Sequence, residues 1–180
     1  MPKVLINDGI HPTGAKMLED AGFEISQNHI PTDELHKSLP EYDAICVRSA
    51  TKVRQDLIDQ CPDLKIIARG GVGLDNIDVQ YAKDKGIEVY NTPAASSRSV
   101  AELAMSHMMG LSRFLHKSNR EMPAQGGDSF KALKKSYSKG MELEGRTLGI
   151  IGFGRIGQEL AGIAFGMGMK VLGGFLRGRR

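Results

Sequence analysis

The chain has 180 residues, of which 41% are hydrophobic and 25% are charged, and its net charge is +3. This composition is typical of a globular protein with a buried core, and so small a charge predicts no nucleic-acid partner and no membrane partner. No run of about 18 apolar residues indicates a membrane span, and the first residues lack a signal-peptide core, so we expect a cytoplasmic protein. Cys46 and Cys61 stand in no metal-binding or redox motif, so we predict two inert thiols and no metal site.

Short apolar runs alternate with amphipathic stretches through the first half of the chain. The runs predict strands at residues 4–6, 23–25, 43–47, 64–68 and 87–90. Helices are predicted between them, at residues 12–21, 33–39, 57–61 and 79–85. Such alternation is typical of a parallel sheet covered on both faces. Residues 1–98 are therefore expected to form one doubly wound α/β domain of the flavodoxin-like type.

A long apolar helix is predicted next. Ser99 and Glu102 have the spacing of a capping box, and the helix should run to about Asn119. Apolar residues surround it almost completely, which predicts burial on more than one face or a subunit contact. One stripe consists of Val100, Leu103, Ala104, Met108, Leu111 and Leu115, and the other side of Ala101, Met105 and Met109. Residues 122–140 are rich in Pro, Gly, Ser and Lys and predict a connecting loop, with at most a helical turn at 130–135.

The strongest local signal is the sequence Gly152-Phe153-Gly154-Arg155-Ile156-Gly157. A predicted strand at 147–151 precedes it, and a helix and a second strand follow, which is the context that a dinucleotide-binding turn requires. Gly152 permits the tight turn, Gly154 lets the backbone approach a pyrophosphate, and Gly157 lets the helix pack closely on the strand. The phosphates would meet free amides at the positive end of the helix dipole. We therefore predict a nucleotide site at the start of a Rossmann domain, with a glycine-rich turn that binds nothing as the alternative.

The acidic residue that should confirm the cofactor is missing. It should follow the second strand and bind the adenosine ribose, but Phe175 stands at that position. One interpretation is that a longer sequence was cut or frame-shifted after Leu172, and another is that Arg177 or a neighbour receives the 2′-phosphate of NADP. A third, that the basic end binds nucleic acid, has little support from three arginines. We favour the first, and interpret residues 99–180 as the incomplete, truncated start of a cofactor domain.

Several motifs, spread over nearly the whole chain, resemble those of the D-isomer-specific 2-hydroxyacid dehydrogenase family, and most closely its phosphoglycerate dehydrogenase branch. They are residues 47–52 (Val-Arg-Ser-Ala-Thr-Lys), 68–78 (Ala-Arg-Gly-Gly-Val-Gly-Leu-Asp-Asn-Ile-Asp), 91–93 (Asn-Thr-Pro), 99–103 (Ser-Val-Ala-Glu-Leu) and 142–149 (Glu-Leu-Glu-Gly-Arg-Thr-Leu-Gly). The resemblance implies a substrate (lid) domain at residues 1–98 and an NAD-binding Rossmann domain from residue 99, with the active site between them. It also implies a homo-oligomer for the full-length protein.

The reaction that the resemblance implies is oxidation of the C2 hydroxyl of a D-2-hydroxy acid by NAD. In the phosphoglycerate dehydrogenases this converts 3-phosphoglycerate to 3-phosphohydroxypyruvate, on the route to serine. A hydroxypyruvate or glyoxylate reductase is the alternative within the family. A non-catalytic protein is the alternative outside it, either an NAD-sensing corepressor or a chain that pairs with full-length subunits.

The resemblance assigns roles to three groups of residues. Arg48, Ser49 and Lys52 match the position that faces the substrate phosphate, with a solvated strand end as the alternative. Gly70, Gly71, Val72 and Gly73 match the loop whose amides hold the substrate carboxylate, and Val72 also approaches the nicotinamide; a tight turn alone would need the same glycines. Gly152, Gly154, Arg155, Ile156 and Gly157 match the cradle of the cofactor pyrophosphate. Arg69 is a candidate for a buried structural ion pair instead.

No catalytic residue is predicted in this sequence. The histidine, glutamate and arginine that carry the family's chemistry match positions beyond residue 180, and none of the five histidines here stands in a matching context. His107 and His116 lie on the long helix and are expected to be structural. We therefore expect no dehydrogenase turnover by the 180-residue chain alone.

Overall fold

A computed structural model describes residues 1–174. The chain divides into two compact units, Met1–Ala95 and Ser96–Arg180.

The first unit is a parallel sheet with helices on both faces. Its strands are β1 (Lys3–Ile6), β2 (Glu24–Ser26), β3 (Ala44–Val47), β4 (Ile66–Arg69) and β5 (Glu88–Asn91), and every neighbouring pair is parallel. The connecting helices are α1 (Pro12–Asp20), α2 (Leu35–Ser38), α3 (Gln55–Asp59) and α4 (Val79–Asp84), with a 3₁₀ turn at Leu39–Glu41. The strand order β2-β1-β3-β4-β5 is the flavodoxin-like order, which confirms the predicted fold class.

Successive side chains of each strand alternate between the two faces of the sheet, so the core of this unit has two layers. Leu5 and Ile45 are fully buried on one face, in a cluster that also contains Leu57 of α3. Val4 lies on the other face, where Ala15 of α1 packs against it. Because successive side chains of a strand point to opposite faces, one short apolar run contributes to both layers.

The second unit contains helical segments followed by a strand–helix–strand unit. Its elements are α5 (Ser97–Ser112), α6 (Leu115–Tyr137), β6 (Thr147–Ile151), α7 (Arg155–Gly166) and β7 (Lys170–Gly174). Strands β6 and β7 are parallel neighbours, and Met105 of α5 packs with Ala164 of α7 in a small core. The predicted strand, helix and returning strand around the glycine turn are confirmed, while Phe175 and Arg177 lie outside the described residues.

The start of α5 shows that the predicted capping box was wrong. The helix begins at Ser97, so Ser99 lies inside the first turn and cannot cap it. Glu102 instead accepts a hydrogen bond of 2.7 Å from Nε of Arg98, four residues earlier on the helix surface. Arg98 also contacts Glu159 of α7 at 3.4 Å. An earlier start therefore allows an ion pair along the helix in place of the capping box.

Burial on more than one face was predicted for helix α5, and within residues 1–174 its shorter apolar face is the buried one. Ala101 and Met105 are buried, whereas Leu103 and Leu111 are 58% and 66% exposed. The buried face packs on α7, which contributes the buried Ala161 at the same contact. Small residues let two helices approach closely, so the narrower apolar face is the one that packs.

The long helix ends earlier than predicted, and the predicted loop is helical. Helix α5 ends at Ser112, and Phe114 adopts a left-handed conformation with φ 55° before α6 begins. The prediction of a loop at residues 122–140 was wrong because it relied on Pro123 and nearby glycines, which weaken a helix without excluding it.

The helical residues of α6 double back on themselves. The ring centroids of Phe114 and Tyr137 lie 6.4 Å apart, whereas a straight helix would separate them by about 34 Å at about 1.5 Å per residue. The Tyr137 hydroxyl also donates a hydrogen bond of 2.8 Å to Glu121. Pro123 and the pair Gly126 and Gly127 stand between these contacts, and such residues are the usual sites of sharp helix bends. We refer to residues 114–137 as the helical hairpin.

Candidate functional site

The carboxyl ends of β1, β3 and β4 border a groove of about 540 Å³. Its lining residues are Asp8, Gly9, Ile10, His11, Arg48 and Gly70. Helix α1 after β1 and helix α3 after β3 cover opposite faces of the sheet. Such a topological switch point is where open α/β sheets bind their ligands. The structure therefore brings the predicted residues Arg48 and Gly70 together at a position suited to a ligand, which we call the switch-point groove.

The loop after β3 is tied to Asp8. One carboxylate oxygen of Asp8 accepts hydrogen bonds from the amides of Arg48 (2.6 Å) and Thr51 (3.1 Å), and the other accepts one from the Thr51 hydroxyl (2.5 Å). Partial burial acts to raise the pKa of Asp8, but these hydrogen bonds and the nearby His29 outweigh it and hold the pKa below its ordinary value. Asp8 is therefore a carboxylate throughout the neutral pH range.

Buried amide side chains hold the same loop from the protein interior. Asn7 Nδ2 donates to the hydroxyl of Thr51 at 2.8 Å, and both side chains are almost fully buried. Asn76 Nδ2 donates to the carbonyls of Arg48 (2.8 Å) and Thr51 (2.7 Å). Buried polar networks of this kind rigidify the backbone that they bind, so residues 48–51 have a fixed conformation.

The loop after β4 closes around the side chain of Arg69. The guanidinium donates to the carbonyl of Gly73 and lies 3.9 Å from the carboxylate of Asp75. A Cβ on Gly71 would lie 3.1 Å from this guanidinium, and a Cβ on Gly73 would lie 3.3 Å from it, so glycine lets the loop fit closely. The Arg69 side chain therefore holds the loop, but its ion pair is not the buried one expected, since the side chain of Asp75 is 88% exposed. The close fit to Arg69 is a structural reason for glycine at residues 71 and 73.

The amides of this loop divide into two pairs. Those of Gly70 and Gly71 donate to the carbonyls of Val47 (2.9 Å) and Arg69 (3.0 Å). Those of Val72 and Gly73 donate to no atom of residues 1–174. Only the second pair is therefore available to an anion, although the resemblance implied all four residues.

Donors are also available beside this loop. The amides of Ser49 and Ala50 likewise donate to nothing within residues 1–174, and the exposed Arg48 guanidinium pairs with no carboxylate there. The Arg48 side chain lies against Gly70, since a Cβ on that glycine would be 3.6 Å from Arg48 Cγ. A cation and several unpaired amides on two adjoining loops are suited to bind an anionic ligand.

Lys52 lies apart from Arg48. It lines a separate hollow of about 260 Å³ between α2 and α3, where His36, Arg54 and Asp56 are also exposed to the cavity. The three residues predicted to face a phosphate are thus divided, with Arg48 and Ser49 in the loop held by Asp8 and Lys52 lining the other hollow.

The glycine turn of the second unit has the backbone geometry that its sequence predicts. Gly152 has φ 94°, a conformation that favours glycine. A Cβ on Gly157 would lie 2.6 Å from the carbonyl oxygen of Gly152, so α7 can pack on β6 only with glycine at this position. A Cβ on Gly154 would meet nothing within 4 Å, which leaves open space in front of the turn.

The turn also presents unpaired amides. Gly154 is the N-terminal cap of α7, and because glycine has no side chain it cannot cap the first amides of the helix. The first amides of a helix have no partner inside it, so those of Arg155, Ile156 and Gly157 point outward at the positive end of the helix. Their arrangement fits a pyrophosphate, as in dinucleotide-binding helices.

A sequence profile of the family described as D-isomer specific 2-hydroxyacid dehydrogenase, catalytic domain, matches residues 4–165. The chain belongs to this family. Hydroxypyruvate reductase from Thermotoga maritima is 48% identical over 94% of this chain and 54% of its own length. D-3-phosphoglycerate dehydrogenase from Methanocaldococcus jannaschii is 41% identical over 96% of this chain and 32% of its own length.

Solved structures agree with this membership. The crystal structure of NAD⁺-bound 3-phosphoglycerate dehydrogenase from Entamoeba histolytica matches with a TM-score of 0.71 and 30% identity, over 97% of this chain and 53% of that one. The 180-residue chain spans about half the length of the hydroxypyruvate reductase that it matches and about a third of the length of the phosphoglycerate dehydrogenase.

Sequence reasoning missed the residues that hold the loop after β3. Asp8 was not singled out because a single polar residue after a strand does not form a motif. Thr51 and Asn76 lie within the motifs at residues 47–52 and 68–78, but no role was assigned to them there. Their position was the available signal, since Asp8 and Thr51 closely follow strands that end at the same edge of the sheet. The predicted flavodoxin-like strand order places those ends side by side, but it does not show which side chains beyond them make contact.

Two other kinds of candidate site, a reactive cysteine and a metal-binding cluster, find no support among residues 1–174. Burial raises the pKa of the Cys46 thiol, and raises that of Cys61 to about 11, which makes both poor nucleophiles at neutral pH. No cluster of three or more metal-ligating side chains occurs among residues 1–174. No helix in that part of the chain is long and apolar enough to cross a membrane.

Proposed function

We propose that the full-length protein is an NAD-dependent oxidoreductase that oxidises the C2 hydroxyl of a D-2-hydroxy acid. We further propose that its substrate is 3-phosphoglycerate, which would yield 3-phosphohydroxypyruvate for serine synthesis. Membership of the family supports the reaction class, and the phosphoglycerate dehydrogenase from Methanocaldococcus jannaschii supports the substrate. A cytoplasmic, homo-oligomeric protein is part of the same proposal.

The set of unpaired donors in the first unit carries the substrate side of the proposal. We assign residues 1–98 to a substrate-binding domain. The guanidinium and hydroxyl of Arg48 and Ser49 would hold the phosphate, since charged forked donors match its oxygens. The amides of Val72 and Gly73 would hold the carboxylate, and Gly70 and Gly71 would support them by fixing the loop. Lys52 would contribute only through its charge.

The second unit, from residue 99, would hold the dinucleotide. The amides of Arg155, Ile156 and Gly157 would bind the pyrophosphate, with Gly152 and Gly154 giving it access, and Val72 would approach the nicotinamide. NAD supplies the hydride acceptor when bound. The NAD⁺-bound relative from Entamoeba histolytica supports NAD, and NADP is the alternative that a cofactor assay distinguishes. We assign no catalytic residue to this chain and propose that the 180 residues alone do not turn over.

Reduction of hydroxypyruvate is the second candidate function. The Thermotoga maritima hydroxypyruvate reductase is 48% identical to this chain, a higher value than that of the phosphoglycerate dehydrogenase from Methanocaldococcus jannaschii. The two candidates differ in the phosphate of the substrate. Arg48 in the switch-point groove favours the phosphorylated substrate, because a guanidinium that pairs with no carboxylate of residues 1–174 can bind a phosphate through two hydrogen bonds.

Turnover by the full-length protein tests the choice of substrate. NADH formation from 3-phosphoglycerate should exceed that from D-glycerate in kcat/KM, and Arg48→Gln should remove most of this preference by raising KM for 3-phosphoglycerate. Arg120→Gln is a matched control, since Arg120 is an exposed arginine of the helical hairpin. Equal or greater activity with D-glycerate and hydroxypyruvate would favour the reductase instead.

A further inference from the structure

Asp8 places a negative charge inside the groove that the proposed function fills with an anion. It lines the groove together with Arg48 and Gly70. A carboxylate at such a position repels a phosphorylated acid, so charge alone would make it unfavourable there. The hydrogen bonds of Asp8 explain why a carboxylate stands in this groove, because all three of their donors belong to the loop that carries Arg48.

The three hydrogen bonds determine where this loop can lie. Asp8 binds the first amide of the loop, at Arg48, and the last one, at Thr51, so both ends are fixed to one carboxylate. The Thr51 hydroxyl adds a third bond and is oriented in turn by Asn7 Nδ2 at 2.8 Å. The amides of Ser49 and Ala50, between the two fixed ends, stay unpaired within residues 1–174.

We propose that Asp8 is a positioning residue for anion binding, which fixes residues 48–51 so that Arg48 lines the switch-point groove and the amides of Ser49 and Ala50 stay free. The inference rests on the proposed function, because it assumes that the groove binds a phosphorylated acid. In this role Asp8 would need no bond to the substrate. Its contribution comes through the backbone that it holds.

Replacing Asp8 by asparagine separates this role from a simple charge effect. Asp8→Asn removes the negative charge, so a groove governed by charge alone would bind the anion more tightly. A positioning role gives the opposite sign. The carboxamide oxygen can replace the carboxylate oxygen that binds both amides, but its NH₂ group then stands where the Thr51 hydroxyl donates, so that hydrogen bond to a charged acceptor is lost. We expect affinity to fall about tenfold, as for loss of a hydrogen bond to a charged group.

Thr51 gives a second test that leaves all charges in place. Thr51→Val keeps the shape of the side chain and removes the hydroxyl that joins Asn7 to Asp8, so binding should weaken. Thr51→Ser keeps the hydroxyl and should restore affinity to within about twofold of the original, a difference of ~0.4 kcal/mol. Rescue by serine would not be expected if Thr51 acted only through packing.

Asp43 provides the matched control for Asp8. Its carboxylate accepts hydrogen bonds from the Lys3 amide (2.8 Å) and from Lys65 Nζ (2.6 Å), so it also ties chain segments together in the first unit. It precedes β3 and therefore lies at the opposite edge of the sheet from the groove. Asp43→Asn should lower stability without changing anion affinity.

Calorimetric titration of the 180-residue chain and these variants with 3-phosphoglycerate tests the proposal. The expected result is weaker binding by Asp8→Asn and Thr51→Val, and affinity near that of the unmodified chain for Thr51→Ser and Asp43→Asn. Equal or tighter binding by Asp8→Asn would overturn the inference while leaving the proposed function standing. Absence of binding by the unmodified chain would instead contradict the substrate assignment on which the inference rests. If Asp8→Asn does not fold, the Thr51 pair decides the question.

Discussion

The two units of this chain follow the same alternation of strands and helices, yet they bury their apolar side chains to different extents. In the first unit β1, β3 and β4 each have a strand on both sides, and Leu5 and Ile45 are fully buried. In the second unit β6 pairs with β7 alone within residues 1–174, and Ile151 and Leu172 are 77% and 68% exposed. A two-stranded sheet is marginally stable by itself, so the second unit depends on its helices for a core.

This difference shows that local sequence signals and burial are separate properties. The strand before the glycine turn contains the apolar residues Leu148, Ile150 and Ile151, and it forms as predicted. Its burial depends on how many strands lie beside it, which no local pattern specifies. The comparison can be tested by substitutions that should affect one unit strongly and the other weakly.

The largest effect is expected from a core substitution in the first unit. Leu5→Ala should lower the free energy of unfolding of that unit by about 2–5 kcal/mol, because it leaves a cavity in a fully buried cluster. Leu111→Ala is the matched substitution in the second unit, and it should change stability by less than about 0.5 kcal/mol, because exposed positions seldom contribute more. Urea titration of both variants measures the two values. Similar losses would show that Leu111 is buried in solution and that the contrast between the units is wrong.

A smaller effect is expected at the glycine turn. Gly157→Ala should destabilise the second unit by about 1–3 kcal/mol, because its Cβ would lie 2.6 Å from the carbonyl oxygen of Gly152 and push α7 away from β6. Gly154→Ala should leave stability nearly unchanged, because its Cβ would enter open space, while still hindering a dinucleotide. Thermal unfolding of the two variants, with and without NAD, distinguishes packing from ligand access. Equal destabilisation by both would contradict the geometry of the turn.

The smallest effect concerns the ionisation of Tyr137 in the helical hairpin. Burial and the hydrogen bond to Glu121 raise its pKa to about 12. Because a raised pKa favours the protonated form of the folded state, the stabilisation is fully present below about pH 10 and disappears as the pH rises through about 12. Ultraviolet titration should therefore show a tyrosine that ionises near pH 12, and Glu121→Gln should make this tyrosine ionise at lower pH by removing the nearby charge. An unchanged titration curve in Glu121→Gln would mean that the hairpin does not form.

The sequence predicted the elements of the first unit and the turn of the second because these depend on short-range patterns. Apolar runs identified β1 and β6, and the spacing of Gly152, Gly154 and Gly157 predicted their backbone roles. The helical hairpin was missed because proline and glycine lower helix propensity by amounts that contacts such as those of Tyr137 can outweigh. The sequence of α5 predicted burial on more than one face because two of its faces are apolar, and only the fit to α7 shows which of them packs within residues 1–174.

The candidate site was predictable in part for a related reason. Arg48 and the glycine loop were found because the resemblance assigns ligand-binding roles to their motifs, whereas Asp8 and Asn76 act through contacts between segments far apart in the sequence. Lys52 lies close to Arg48 in sequence, but the chain turns between them and directs the two side chains to different cavities. Proximity in sequence was therefore a poor guide to proximity in the site.

The central claim is that the first unit holds the substrate and the second holds the dinucleotide phosphates. Amide NMR spectra of the 180-residue chain, recorded with 3-phosphoglycerate and with NAD separately, test it most directly. We predict that 3-phosphoglycerate shifts the amides of Ser49, Ala50, Val72 and Gly73, and that NAD shifts those of residues 154–157. Shifts by 3-phosphoglycerate confined to the second unit, or none with either ligand, would contradict the account.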